Sequence, residues 1–132
     1  MSNFAPCAIH YLQHRFPSVE HYYQSRKNDD PAWIDYCSNK ELDPGKVKRA
    51  SRKITLRDNW DDIKLDVMRF GVEKKFTDIY REQLRDTGNA YLIEGNYWGD
   101  AFWGYDIKRG IGHNHLGRLI METRIKINSG EI

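Results

Sequence analysis

Cysteine and proline are sparse in this chain of 132 residues, with two of the first, Cys7 and Cys37, and four of the second. The two thiols have no CxxC spacing and no metal-type cluster around them, so a disulfide framework and a structural zinc site are not expected and both should stay reduced. No run approaches the roughly 20 apolar residues of a membrane span, and no membrane partner is expected. The opening residues, Met1-Ser2-Asn3-Phe4-Ala5-Pro6, lack both a basic and an apolar stretch, so no secretory leader is readable and a cytoplasmic location is expected. GxSxG, GxGxxG and GxxxxGK are all missing, which removes the fingerprints of serine hydrolases, Rossmann folds and P-loops. The histidines form no ligand pair on one predicted helix; His113-Asn114-His115 lies at a loop-to-helix junction, so no metal is expected. Repeats, low-complexity tracts and Pro/Gly/Ser-rich linkers are likewise missing, which predicts one domain over residues 1–132.

Charge is nearly balanced, at 21 basic against 19 acidic residues and a net +2. That balance argues against a general nucleic-acid coat driven by counterion release. Its distribution is uneven: Lys46, Lys48, Arg49, Arg52, Lys53 and Arg57 fall in one stretch with no acid among them. Such a run is either a solvated helix face or a local phosphate site. Aromatics reach 13%, with four Trp and eight Tyr, more than a small core commonly needs, so some are expected to line a pocket.

Helix signals dominate. Ser18 can cap a helix from about Val19 to Lys27 with Glu20 in its first turn, where the helix dipole favours an acid. Asp30-Pro31 and Asp43-Pro44 repeat one start signal, an Asp cap followed by Pro at the first helical position. Asp58 or Asn59 can cap a longer segment in which Trp60, Ile63, Val67, Met68, Val72 and Phe76 recur at near-helical spacing. A short helix over Ile79 to Arg85 ends at Thr87-Gly88. Tyr91-Leu92-Ile93, bounded by Asn89 and Gly95, reads as a buried strand. Glu94 to Gly104 is too rich in Gly and Trp for a helix and reads as a shaped loop, and Asn114 opens a last helix with Leu116, Leu119 and Ile120 on its apolar face. The fold class expected is α+β, mostly helical with a small sheet.

Two places carry chemistry. Glu20, Gln24 and Lys27, at i, i+4 and i+7, set a carboxylate, an amide and an ammonium on one helix face. That face either binds a ligand or is an exposed amphipathic surface, and spacing does not decide between them. In the loop, Trp98 and Trp103 offer flat faces on which a base can stack, and the glycines allow close backbone approach; core packing is the alternative for either ring.

The order of motifs resembles the YbiA/NADAR family. The residues are Ser2-Asn3-Phe4, Ser18-Val19-Glu20-His21-Tyr22-Tyr23-Gln24, Asp100-Ala101-Phe102-Trp103-Gly104 and Asn114-His115-Leu116-Gly117-Arg118-Leu119-Ile120-Met121, with Leu56-Arg57-Asp58-Asn59-Trp60 between them. The likeness runs from residue 2 to about 124. Family members usually begin further upstream, so a truncated or naturally short form is one reading of a chain that starts at the first motif. Of the two Trp-Gly pairs, only the one in Asp100 to Gly104 has the family's Asp-x-x-Trp-Gly spacing.

The resemblance implies a single compact domain and hydrolysis of an N-glycosidic bond in a nucleotide-like substrate. The two classes it suggests are ADP-ribose attached to guanine, free or within DNA or RNA, and phosphoribosyl-pyrimidine intermediates of riboflavin biosynthesis. No cofactor is implied. Glu20 is the expected water-activating or cation-stabilising carboxylate, and Asp100 a second carboxylate or a ribose ligand. Trp103, followed by Gly104, forms a stacking wall, with Trp98 a lesser candidate. Gln24, Lys27, Arg49 and Arg57 are substrate or phosphate contacts, and Asn3 and Asn114 orient the ribose or the loops. A rival reading is a module that binds ADP-ribose or a nucleotide without turning it over.

Overall fold

The computed structural model describes residues 2–132. Its elements run β1 (Ile9–Tyr11), β2 (His14–Phe16), α1 (Val19–Ser25), α2 (Pro31–Cys37), α3 (Pro44–Ala50), a 3-10 turn (Ser51–Lys53), α4 (Trp60–Thr77), α5 (Arg81–Asp86), β3 (Gly95–Asn96), β4 (Tyr105–Asp106) and α6 (His115–Asn128). The class is α+β and mostly helical, as expected. The chain divides into two compact units, Met1–Lys75 and Phe76–Ile132, and the division falls near the C-terminal end of α4.

In the first unit the local signals act as anticipated. Ser18 accepts from the His21 amide, Asp30 from Ala32 and Asp43 from Gly45, and Pro31 and Pro44 open α2 and α3. Each cap satisfies an amide that a helix start leaves without a partner. β1 and β2 form an antiparallel hairpin that pairs Ile9 with Phe16 and Tyr11 with His14, an element outside the sequence expectation. The core gathers Ile9, Phe16, Val19, Tyr22, Cys37, Val47, Met68 and Val72, each at most 2% exposed. Tyr22 is its hub, with ring centroids 5.4 Å from Phe70, 5.6 Å from Tyr11 and 5.9 Å from Phe16. Helix α4 comes close to α1 at Gly71, where a Cβ would lie 3.1 Å from both Val19 and Tyr22 side chains.

In the second unit the stripe of α6, Leu116, Leu119, Ile120, Thr123 and Ile127, is buried, at the spacing of one helix face. α5 begins at Arg81, two residues later than expected. The strand expected at Tyr91-Leu92-Ile93 does not form: Tyr91 is 65% and Ile93 57% exposed, and the short strand lies at Gly95–Asn96, parallel to Tyr105–Asp106. The reason is a side chain standing in for a neighbouring strand. Asn114 Nδ2 donates to the Leu92 carbonyl at 2.9 Å and its Oδ1 accepts the Glu94 amide at 2.9 Å, so this backbone is satisfied with no ladder.

Candidate active site

Helix α1 is buried along its whole length, from Val19 to Ser25. Glu20 is 6% exposed and Gln24 2%, so their face is not an amphipathic surface turned to water. The Ser2-Asn3-Phe4 motif is fastened to it: the Asn3 carbonyl accepts the Glu20 amide at 3.1 Å, and Asn3 Nδ2 donates to Met68 Sδ at 3.5 Å. The buried Lys75 donates to the Ser2 carbonyl at 2.6 Å. Asn3 thus enters the site through its main chain, beside the first turn of α1.

Along that face Gln24 Nε2 reaches Glu20 Oε1 at 3.5 Å, a long and weak contact. Gln24 Oε1 is buried with no hydrogen-bond partner among the described residues. A buried acceptor without a donor is costly, of the order of 1–3 kcal/mol. One turn on, the Lys27 ammonium lies 5.5 Å from the Tyr23 ring centroid and 6.0 Å from that of Trp60. No hydrogen-bond acceptor for it is found among the described residues. Burial lowers the Lys27 pKa from its ordinary value; Glu20 draws it back up, while Lys48 and Lys64 push it further down. An anionic ligand would relieve that penalty. Cys37 nearby is a buried thiol pushed up to about 12 by burial, which makes it a poor nucleophile.

His21 points elsewhere. Its Nε2 sits 2.8 Å from the Leu42 carbonyl, which only accepts, so Nε2 carries the proton; Nδ1, 2.6 Å from Ser18 Oγ, then accepts the serine hydroxyl. Burial lowers its pKa, against smaller opposing effects of the Leu42 carbonyl and Asp43. His21 is a neutral strut between α1 and the segment leading into α3.

The basic run divides by role. Arg57 binds Asp29 with both terminal nitrogens and the Arg26 carbonyl with Nε, so three donors hold the turn after α1. Arg49 is exposed on α3, beside Gly45, and no acceptor for its guanidinium is found among the described residues. Lys48 is half-buried and felt electrostatically by Lys27.

In the second unit the Asp-x-x-Trp-Gly loop is built on backbone pairing. Asp100 Oδ1 accepts the amides of Phe102 at 3.1 Å and Trp103 at 3.0 Å, and the Asp100 amide donates to Asn96 Oδ1 at 2.9 Å. Asp100 Oδ2 has no hydrogen-bond partner among the described residues. The carbonyls of Ala101, Phe102, Trp103 and Gly104 accept amides of His113, His115, Leu116 and Asn114 respectively, so the loop caps the start of α6. Gly104 is required: a Cβ there would overlap the Glu94 carbonyl and the Asn96 side chain. Trp103 is half-buried, edge-on to Phe102 at 4.9 Å and 6.4 Å from His115. Trp98 is 75% exposed. Asn114, 5% exposed, takes a left-handed φ of 53° and gives its whole amide to backbone partners.

Several residues of the site were not picked out in the sequence. Tyr23 and Trp60, whose rings lie within 6.0 Å of the Lys27 ammonium, fall within the quoted motifs but were given no role of their own. Lys75 does carry a signal, since a lysine falls within the α4 stripe of Met68, Val72 and Phe76. Asp106 is buried and bound to Arg109, which holds its carboxyl below the usual range.

Comparison with known proteins gives a consistent picture. The model of the NADAR domain matches residues 1–128. The chain is 40% identical over 128 residues to riboflavin biosynthesis protein VVA0006 of Vibrio vulnificus, covering 94% of this chain and 34% of that protein. It is 38% identical to N-glycosidase Npun_R5314 of Nostoc punctiforme, covering 97% of this chain and 85% of the relative. N-glycosidase YbiA of Escherichia coli is 35% identical over 93% of this chain and 78% of its own length. The NMR structure of E. coli YbiA superposes with a TM-score of 0.85 at 34% identity, covering 98% of this chain and 78% of that one. The chain thus spans about a third of the Vibrio protein and most of the two N-glycosidases.

Proposed function

The chain belongs to the NADAR domain family and shares the N-glycosidase class of its relatives, and from that premise we propose that it hydrolyses the bond between a ribose carbon and a base nitrogen in a phosphorylated substrate. The observation that carries this reading is the end of α1 and the turn after it, where a buried carboxylate, a buried amide oxygen and, two residues past the helix, the Lys27 ammonium follow at i, i+4 and i+7, the oxygen with no donor and the ammonium with no acceptor among the described residues. Such a row offers one group each for a developing cation, a ribose hydroxyl and a phosphate.

In this account the C–N bond breaks with positive charge developing on the sugar, and Glu20 stabilises that charge and takes a proton from the attacking water. Gln24 Oε1 accepts a hydroxyl of the ribose. Lys27 pairs with the phosphate, assisted by Arg49 at longer range. The base departs with a proton, and the water oxygen becomes the new sugar hydroxyl. In the second unit our candidates, from the resemblance of their loop to the family motif, are Asp100 as a ribose-hydroxyl ligand or second carboxylate and Trp103 as a ring that stacks on the base; Asn114 and Gly104 keep that loop in shape, and Trp98 has a lesser part. Arg57 serves the site by holding the turn that carries Lys27.

Two substrates meet this chemistry. A phosphoribosylated aminopyrimidine is favoured by the name of the Vibrio relative, a riboflavin biosynthesis protein; ADP-ribose on guanine, free or in a nucleic acid, is the second. A cytoplasmic reaction fits two cysteines, Cys7 and Cys37, that form no disulfide. Among the described residues no helix is long and apolar enough to cross a membrane. Incubation with both substrates, read by mass spectrometry, should show released base and the matching sugar phosphate from at least one. Tight binding of both with neither cleaved would return the chain to a binding module.

A further inference from the structure

A cavity of about 350 Å³ opens at the β1–β2 hairpin, apart from the α1 row, lined by Tyr11, Leu12, Gln13, His14, Phe16, Arg26 and Ile34. Its walls are mainly aromatic and aliphatic. Arg26 is the one permanently charged residue of its lining. Arg26 lies 4.6 Å over the Tyr11 ring, and no acidic or other hydrogen-bond acceptor meets its guanidinium among the described residues. Of the carboxylates in this region, Asp29 is bound to Arg57, while Asp35 bonds at 3.1 Å to the wall residue His14 from an exposed position, where solvent screens its charge.

A second observation concerns Leu12. The two-residue turn of the hairpin holds it at φ 53°, a region that favours glycine or asparagine, and leaves it 82% exposed. A two-residue hairpin loop calls for a positive φ at its first residue, so the turn accounts for this backbone, and it sets the leucine side chain out at the cavity's edge. Leu12 lines the cavity and supplies apolar surface that a bound ring would cover.

We propose that this hairpin cavity is a second ligand site, for a small planar aromatic carboxylate whose ring packs on Tyr11, Ile34 and Leu12 and whose carboxylate pairs with Arg26. The size falls in the usual range for small-molecule sites, which are mostly apolar with a few polar anchors, and a guanidinium is the side chain best matched to a carboxylate.

The test uses 2-naphthoate and its neutral counterpart 2-naphthamide as probes, followed by backbone amide NMR shifts in the full chain. Naphthoate should shift the amides of residues 11–16, 26 and 34, and naphthamide should bind at least about tenfold more weakly, the loss expected when a charge-assisted pair is removed. Arg26→Gln should bring naphthoate down to the level of the amide. Leu12→Asn keeps the turn, since asparagine tolerates the left-handed region; it should weaken both probes while the melting temperature holds or rises. Equal binding of the two probes, no shift in these amides, or a Leu12→Asn variant that binds as the parent does would each overturn the proposal.

Discussion

The two compact units differ in how fully their buried and half-buried polar side chains are engaged. In residues 76–132, Asn96, Asp100, Asp106 and Asn114 are spent on nearby backbone groups, through Asx-type turns and through bridges to residues 92 and 94. In residues 2–75, the α1 row leaves an amide oxygen without a donor and an ammonium without an acceptor. A loop rich in glycine has no repeating ladder of its own, so it draws on side chains to satisfy its backbone. A helix satisfies most of its own backbone, so that on α1 His21 and Ser25 reach carbonyls while the Gln24 oxygen is left without a donor. The difference teaches that a polar residue in a family motif is either scaffold or contact according to whether its atoms already have partners.

The largest expected effect sharpens the scaffold half of this comparison. Asn114→Ala strands the Leu92 carbonyl and the Glu94 amide and places alanine in the left-handed region, so stability should fall by about 2–4 kcal/mol in denaturant unfolding, the scale of two lost buried hydrogen bonds. A loss below about 1 kcal/mol would mean the amide is not the partner this backbone depends on.

Trp103 and Trp98 come next. Trp103→Ala should weaken ligand binding by about 1–3 kcal/mol, the scale of a lost base-aromatic stack, while the exposed Trp98→Ala should change affinity and melting by no more than about 0.5 kcal/mol. Calorimetric titration with ADP-ribose, beside melting curves, checks the ranking; a dominant Trp98 would move the motif to the other Trp-Gly pair and Asp100 with it.

Lys27 and Arg57 separate contact from clamp within the first unit. Lys27→Met should raise KM for a phosphorylated substrate by about tenfold and leave its dephosphorylated analogue nearly unchanged. Arg57→Ala should affect both substrates alike and lower the melting temperature, because its guanidinium is bound to Asp29 and the Arg26 carbonyl rather than open to a ligand. Equal effects of Lys27→Met on the two substrates would remove the phosphate from the α1 row.

The smallest effect is the pH dependence of His21. Its folded pKa lies below the ordinary 6.5, so the unfolded chain takes up the proton first as pH falls, and its contribution to stability is complete above 6.5 and lost as pH drops towards the folded pKa. Melting temperature should therefore fall more steeply below pH 6.5 in the parent than in His21→Gln. Parallel curves would show that His21 does not titrate on folding.

Local signals made much of this legible in the sequence. The Asp-Pro starts of α2 and α3, the Ser18 cap and the long α4 stripe are decided within a few residues, and they appear where the sequence puts them. Tyr91-Leu92-Ile93 misled because its β-prone residues meet no strand; the pairing group is a side chain 20 residues away. The hairpin went unread because two three-residue strands leave too short an alternation to detect. Burial of Glu20 and Gln24 also lay beyond the spacing, since it depends on what packs over α1 rather than on α1 itself. The unpaired Gln24 oxygen is a fact of three dimensions alone.

The central claim is that the α1 row does the chemistry, and Glu20→Gln tests it most directly. The substitution keeps the side chain's size and its place in the first turn while removing the charge. Turnover of the cleaved substrate should fall by more than about a hundredfold, the scale of a lost acid-base group, with the melting temperature within a few degrees of the parent. Hydrolysis at the parent rate by a folded Glu20→Gln chain would contradict the account.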